Sequence, residues 1–268
     1  MIVDFHSHTY ESDGTLSPSE LCAAMHKRGV AVFSITDHDT LGAYRDLEVP
    51  APMRLVVGIE INTTYDGNEA HVLGYNLPLT PGTPLDRMLE DNRAARRERI
   101  GEMVTKLQDA GYEITMEQVL AEAGKGQSLG RPHVGKALIR HGHVSDIQTA
   151  FRTLLVRGTP GYVPSTHITP HQAITAIRNA GGISVLAHPG RLRDYAMIDE
   201  LVEHGLQGLE VFYPTHEAAQ VQLFRDKAAK YALLMSGGSD FHDIRYHKRG
   251  VGMEIDEADI KPFLSAVA

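Results

Sequence analysis

The chain has no tryptophan, one cysteine and only 6% aromatic residues among its 268. Each shortage removes a class of protein. A lone Cys22 excludes an intrachain disulfide and fits a reducing compartment. Set in the apolar run Leu21-Cys22-Ala23-Ala24-Met25, it reads as a buried small hydrophobe. No apolar stretch approaches the roughly 20 residues of a membrane helix, and Met-Ile-Val-Asp-Phe-His lacks the features of a secretory signal. A cytoplasmic protein without membrane contact is expected. Basic excess is missing too: a net charge of −8 argues against nonspecific nucleic-acid binding, which needs a cationic surface to release counterions. A local basic pocket is still allowed.

What is present is an ordinary globular composition, 42% hydrophobic and 22% charged, in a length that suits one barrel-sized α/β domain or a main domain with an insertion. β-rich runs occur at Ile2–Phe5, Ala31–Thr36, Arg54–Ile61, Ala70–Tyr75, Gly182–Ala187, Gly208–Phe212 and Ala232–Ser236, with a weaker one at Gly250–Ile255. Helix-like segments at Ser19–Arg28, Thr169–Ala180, Tyr195–His204 and Glu217–Tyr231 alternate with them, as in a mainly parallel sheet. Ser17-Pro18 and Thr169-Pro170 supply a cap followed by proline at the first helical position. The link across positions 62–69 is too short for a parallel crossover and contains the turn pair Asp66-Gly67, so its flanking strands should be antiparallel. That argues for a distorted barrel over a regular eightfold one. From Leu85 to Gly158 there is no clear strand, only a long basic helix, Leu85–Ala110, and shorter helical patterns. The expected division is a first barrel part over 1–100, a helical insertion or cap over 101–158, and a second barrel part over 159–268.

Ionisable residues gather where these runs end. His6-Ser7-His8 puts two imidazoles on one face of a strand end. Asp13 follows in a loop, Asp37-His38-Asp39 closes the second run, and Glu60 interrupts Gly58-Ile59-Glu60-Ile61. A carboxylate in such an apolar run is costly unless paired or metal-bound. His71 begins the return strand and His188 precedes Pro189-Gly190. Glu210 breaks the run Gly208–Phe212, and Asp240 and His242 stand two apart after a glycine pair that permits close backbone approach. Each alone has a bland explanation, but strand ends meet at a barrel mouth, where barrel enzymes place their sites. Nitrogen and oxygen donors without thiolate suit Mn²⁺, Zn²⁺ or Fe²⁺ in a multi-metal hydrolytic centre.

The series His6-Ser7-His8, Asp13, Thr36-Asp37-His38, Glu60, His71, Ala187-His188-Pro189 and Ser239-Asp240-Phe241-His242 resembles the motifs of the PHP (polymerase and histidinol phosphatase) family. The resemblance covers the chain outside the insertion and implies a distorted (β/α)7 barrel. It also implies two or three divalent cations, Mn²⁺ foremost. One would take His6, His8, Glu60 and Asp240; a second would share Glu60 and add His71 and His188; a third would use Asp13, His38 and His242. Glu60, His188 and Asp240 would act in catalysis through a hydroxide bridging the cations. Asp37 is the choice for orienting a ligand imidazole; Glu210 is divided between that role and facing substrate.

For substrate, Arg93, Arg96 and Arg97 lie on one helix with spacings of three and four. Arg93, nearest the barrel, is the expected phosphate contact and a catalytic residue. Arg96, Arg97 and Arg99 are as readily a solvated face paired with Glu90 and Glu98. The glycine-rich segment from Gly124 to His133 runs into a helix start that favours an anion. It does not match the GxxxxGK[ST] pattern of a nucleoside-triphosphate loop. Ser128, Arg131 and His133 are its candidate phosphate ligands, with Lys125 weaker. Asn92-Arg93 and Gly130-Arg131-Pro132-His133 resemble the branch of stand-alone bacterial phosphoesterases acting on nucleoside 3′,5′-bisphosphates or RNA 5′ ends. That implies hydrolysis of the 3′-phosphate of a compound such as adenosine 3′,5′-bisphosphate, with Phe212, Tyr213 or His216 near the base. Alternatives are 5′–3′ exoribonuclease action on short RNA, histidinol-phosphate hydrolysis, an amidohydrolase, or a non-catalytic metal-binding module. No obligate protein partner is expected.

Overall fold

Short buried strands and amphipathic helices alternate to give a mixed α/β structure. The computed structural model describes the chain apart from residues 124–127, 166–167 and 246–248. The strands are β1 Ile2–Asp4, β2 Val32–Phe33, β3 Arg54–Leu55, β4 Gly58–Ile61, β5 Thr64–Tyr65, β6 Asn68–Glu69, β7 Val72–Tyr75, β8 Ile183–Leu186, β9 Gly208–Phe212, β10 Leu234–Gly237 and β11 Met253–Glu254. The helices are α1 Pro18–Arg28, α2 Pro84–Asp109, α3 Met116–Ala123, α4 Arg131–Arg140, α5 Ile147–Ala150, α6 Pro170–Asn179, α7 Ala196–Glu203, α8 Ala218–Tyr231 and α9 Glu257–Ala266. Helices α1 and α6 start where cap and proline predict: Ser17 and Thr169 accept from the backbone three residues on. None of the described helices is long and apolar enough to cross a membrane.

Strand β7 runs against both its neighbours, β4 and β8, while β8, β9 and β10 pair in parallel. The short link between β4 and β7 therefore makes an antiparallel pair, and it carries the small β5–β6 hairpin at its tip. Several strands are shorter than the sequence runs because their polar C-terminal residues leave the ladder for other partners. Beyond β2, for example, Ser34 accepts through its carbonyl from the Ser7 hydroxyl and the Thr36 N–H donates to Ser7.

Among the described residues the strands form two main sheets, ordered β11-β1-β2-β3 and β10-β9-β8-β7-β4, rather than one closed ladder. Two isolated parallel bridges, Ser7 to Phe241 and His38 to Glu60, link them beyond the C-terminal ends of β1 and β2. Phe5, Tyr75 and Phe263 pack edge to face between the sheets, with ring centroids 4.8–6.4 Å apart. Phe263 comes from α9, an element absent from the sequence reading.

Helix α2 belongs to two apolar cores. Leu85 and Leu89 pack with α6, α7, α8 and the five-stranded sheet. Ile100, Met103, Val104 and Leu107 join a separate cluster drawn wholly from residues 100 to 163. Cys22 is buried on the inner face of α1, as its apolar setting predicts.

Candidate metal centre

Glu60, fully buried at the centre of β4, organises the site. Its Oε2 lies 3.2 Å from Nε2 of both His6 and His8 and 3.1 Å from Nδ1 of His38. Its Oε1 lies 2.8 Å from Nδ1 of His71 and 3.0 Å from Nε2 of His188. Asp240 Oδ1 approaches His6 and His8 at 3.4 and 3.3 Å. Asp13 stands 3.2 Å from His242 and 3.8 Å from His38.

Four buried atoms in this group have no hydrogen-bond partner: His6 Nε2, His8 Nε2, His38 Nδ1 and Glu60 Oε2. They sit within reach of one another but misaligned for hydrogen bonding, as donors aimed at a shared point between them would be. Unsatisfied buried polar atoms are expensive. Four at one place fit divalent cations. The donors fall into three groups able to enclose an ion: His6, His8, Glu60 and Asp240; His8, Asp13, His38 and His242; and His38, Glu60 and His71. The first is the set expected from the motifs. The second adds His8 to its expected set, and the third holds His38 where His188 was expected.

Electrostatics point the same way. Burial opposes ionisation throughout, yet His242 and His38 pull Asp13 well below the usual carboxylate range. His38 and His6 do so for Glu60, and His6 and His242 for Asp240. Against the same burial, Glu210 and Glu60 raise His6 well above the imidazole range, and Asp240 and Glu60 lift His8 to about 10. Three ionised carboxylates in a water-poor pocket demand compensating positive charge. Burial dominates at His38 and His188, whose pKa values are lowered, keeping neutral imidazoles available as donors.

Supporting residues fix the ring orientations. Glu210, wholly buried, accepts from His6 Nδ1 at 2.9 Å and from the His188 N–H at 2.6 Å. It is therefore placed to orient the His6 ring and does not line the cleft. Removing such a partner weakens metal affinity by roughly 10–100-fold, so Glu210→Gln is expected to raise the Mn²⁺ concentration for half-maximal activity by that factor, read from a metal titration. Among the described residues Asp37 makes no hydrogen bond to an imidazole; it accepts from Thr9 N, Thr9 Oγ1 and Ser12 Oγ, and Ser12 in turn reaches His8, at 3.4 Å. Asp39, in the left-handed region at φ 55°, accepts from Asn62 and from Asn92 of α2. Asp4 went unnoticed in the sequence despite interrupting Ile2-Val3-Asp4-Phe5. It accepts from Ser239 N, Ser239 Oγ and Gly252 N, tying the Asp240 loop to β1.

The donors open into a cleft whose far wall comes from α2 and α4: Arg96, Arg99 and Arg131. This corrects the arginine expectation. Arg93 donates to the Asp39 carbonyl and lines a different pocket, with Thr40, Arg45 and Glu90. Arg96 and Arg99, read as equally a solvated face, are 7% and 9% exposed; they are pinned through Nε to the carbonyls of Leu129 and Val163. Arg97 is the exposed one. Arg131 lines the cleft as expected, 2.6 Å from Glu69 of the β5–β6 hairpin, with Arg99 3.7 Å from the same carboxylate. Ser128 and His133 are buried and do not line the cleft. His133 caps the start of α4, its Nδ1 accepting from Gly130 N, and burial presses its pKa to about 4. Lys125 and positions 124–127 of the glycine-rich segment lie outside the described residues. On the opposite rim, Tyr213 donates to Asp240 at 2.7 Å, and Arg191 reaches the same carboxylate at 3.3 Å. His216 is bound to Gly190 N and the Val211 carbonyl, which makes it part of the framework.

No family model matches the chain. Among curated proteins, it is 32% identical over 262 residues to a 3′,5′-nucleoside bisphosphate phosphatase of Chromobacterium violaceum, covering 93% of this chain and 90% of that protein. It is 32% identical over 254 residues to the 5′-3′ exoribonuclease Rnm of Escherichia coli, covering 90% and 85%. A crystal structure from Bifidobacterium adolescentis, provisionally described as a metal-dependent phosphoesterase, superposes with a TM-score of 0.84 at 29% identity, covering 98% of this chain and 96% of that one.

Proposed function

Because the chain belongs to the PHP family of metal-dependent phosphoesterases, we propose that it hydrolyses nucleoside 3′,5′-bisphosphates, removing the 3′-phosphate. Adenosine 3′,5′-bisphosphate would give AMP and phosphate. One observation carries this: the buried donor cluster shares a single cleft with four guanidinium groups, three of them, Arg96, Arg99 and Arg131, on its far wall. A substrate bearing two phosphates meets both.

His6, His8, Glu60 and Asp240 would hold one cation, Glu60, His71 and His188 a second, and Asp13, His38 and His242 a third, with Mn²⁺ favoured by the nitrogen and oxygen donors. Such cations, when bound, supply an acidified water and neutralise phosphoryl oxygens. The protein's own groups do the rest. Arg96, Arg99 and Arg131 take the remote phosphate through charge-assisted bonds. Arg96 and Arg99 are already pinned by backbone carbonyls, so little side-chain freedom is lost on binding. Glu69 occupies Arg131 and Arg99 until the phosphate displaces it. Histidinol phosphate fits less well, since its ammonium would face three cations. The two bridges between the sheets support a ring of strands distorted from a sevenfold barrel. The separate core of residues 100–163 supports a cap over 101–158, and the lone buried Cys22 suits the cytoplasm.

The test is phosphate release from adenosine 3′,5′-bisphosphate with Mn²⁺. Loss of a hydrogen bond to a charged group is worth about 1.5–3 kcal/mol. Arg99→Ala and Arg131→Ala should therefore each raise KM by one to two orders of magnitude and change kcat less. No hydrolysis of any nucleoside bisphosphate by the Mn²⁺-loaded protein would refute the reading.

A further inference from the structure

The β5–β6 hairpin meets the arginine wall of the cleft. Its Thr64 N–H donates to the Ile168 carbonyl at 3.0 Å, and Arg157 donates to the Gly67 carbonyl at 2.8 Å. Glu69, on β6, lines the cleft two residues before the candidate donor His71. Its carboxylate lies 2.6 Å from Arg131 and 3.7 Å from Arg99. Arg96 has Asp39 at 3.5 Å, so among the described residues Glu69 is the carboxylate that faces the other two. An anion is called for here, since burial and the neighbouring Arg131 press the pKa of Arg99 down to about 10. The guanidinium groups do not depend on Glu69 for their positions, however. Arg99 is held through Nε by the Val163 carbonyl, and Arg131 lies against the Phe151 ring, 5.3 Å from its centroid. The Glu69 side chain is 36% exposed, against 10% for Arg99 and 21% for Arg131. The carboxylate is therefore the partner with room to swing into water, and the hairpin keeps its Thr64 and Arg157 bonds when it does.

We propose that Glu69 is a built-in rival for the remote-phosphate site: it takes back Arg131 and Arg99 after the reaction and so expels the nucleoside 5′-monophosphate product. This role rests on the phosphoesterase reading above and concerns how its product leaves. Substrate and product share the 5′-phosphate. The substrate is anchored at both ends, by the donor cluster and by the arginines. Once the cleaved phosphate has gone, the product keeps only the arginine anchor. Binding that is equal for substrate and product lowers KM without speeding the chemical step. A pre-placed arginine pair with no rival anion would fill with product. A tethered carboxylate acts at high effective concentration. It yields to a ligand held at two points and displaces one held at a single point.

The experiment uses the Mn²⁺-loaded full chain and its Glu69→Gln variant. It measures KM and kcat for adenosine 3′,5′-bisphosphate, the inhibition constant of AMP, and AMP binding by calorimetry, which needs no turnover. Glutamine keeps the shape and removes the charge. KM and the AMP inhibition constant should therefore both fall about five- to tenfold, the scale of one partly exposed charged pair. The value of kcat should not rise, and progress curves should bend as AMP accumulates. Glu69→Asp, which keeps the charge, should lie between the two proteins. In an Arg131→Ala background, Glu69→Gln should move either constant by less than about twofold, because the contact it removes is already gone. A rise in KM and in the AMP constant, as a strut for Arg131 would give, or no change in either, would overturn the proposal and leave the phosphatase reading standing. So would failure of AMP to bind either protein. Tighter AMP binding by the variant, with no hydrolysis of any bisphosphate by either protein, would uphold Glu69 as the rival anion and refute the phosphatase reading.

Discussion

Glu60→Gln is expected to lower kcat by about three orders of magnitude, the scale on which charge stabilisation at a reacting centre operates. Among the described residues, Glu60 alone turns its two oxygens to five imidazoles, those of His6, His8, His38, His71 and His188, all within 3.2 Å. Glutamine matches its shape and removes its charge. Two adjacent ion positions lose their common anion together, so metal content measured by elemental analysis should fall with activity. Circular dichroism should show the fold intact, because the glutamine can still accept through one oxygen from the surrounding rings. Retention of full metal content with wild-type kcat would place the bridging role elsewhere.

Gly238→Ala should be among the most damaging single methyls at the described glycines. A Cβ at position 238 would sit 2.3 Å from the His6 backbone nitrogen and 2.4 Å from the His6 Cβ. Neither can yield: Asp240 N donates to the His6 carbonyl, Phe5 N donates to the Gly237 carbonyl, and Gly238 N donates to the Phe212 carbonyl. Overpacking of this kind costs about 3 kcal/mol or more, which for a chain of this size lowers Tm by roughly 6–12 °C. The strain falls on a ligand strand. A displacement near 1 Å at a reacting centre costs about 100-fold in rate, so kcat should fall below what the residual folded fraction explains. Calorimetry together with kcat normalised to folded protein separates the two effects.

The clustering of the candidate donors was legible in part because strand geometry is local. Two residues apart on a strand end share a face, and that rule pairs His6 with His8, whereas Asp240, at φ 51° beyond the end of β10, and His242 are placed by the loop and join different donor groups. The reversal at Asp66-Gly67 was legible from link length. The arginines were not. Spacing of three relates Arg93 to Arg96 and Arg96 to Arg99 equally well, and nothing local says which end of the face turns toward the cleft. That choice is made by the carbonyls of Leu129 and Val163, 33 and 64 residues away, which anchor Arg96 and Arg99. His133 misled for a related reason: an imidazole three residues past a glycine at a helix start can serve an anion or the helix itself, and here it accepts from Gly130. Asp4 and α9 escaped because their roles are long-range. Asp4 acts on Ser239 and Gly252 near the other end of the chain, and α9 contributes Phe263 to a core shared by both sheets.

Helix α2 carries a last consequence. It is rooted in one apolar core through Leu85 and Leu89 and in the other through Ile100 to Leu107, with no break between them. Midway, Asn92 grips Asp39, the residue after the candidate donor His38. A continuous helix resists bending, so the guanidinium groups of Arg96 and Arg99 stand at a set height above the donors whether or not anything is bound. The span between them acts as a calliper. On the proposed reading it would select substrates by the distance separating two phosphates, with the base left unmeasured, so a compound with a shorter or longer spacer is expected to bind less well.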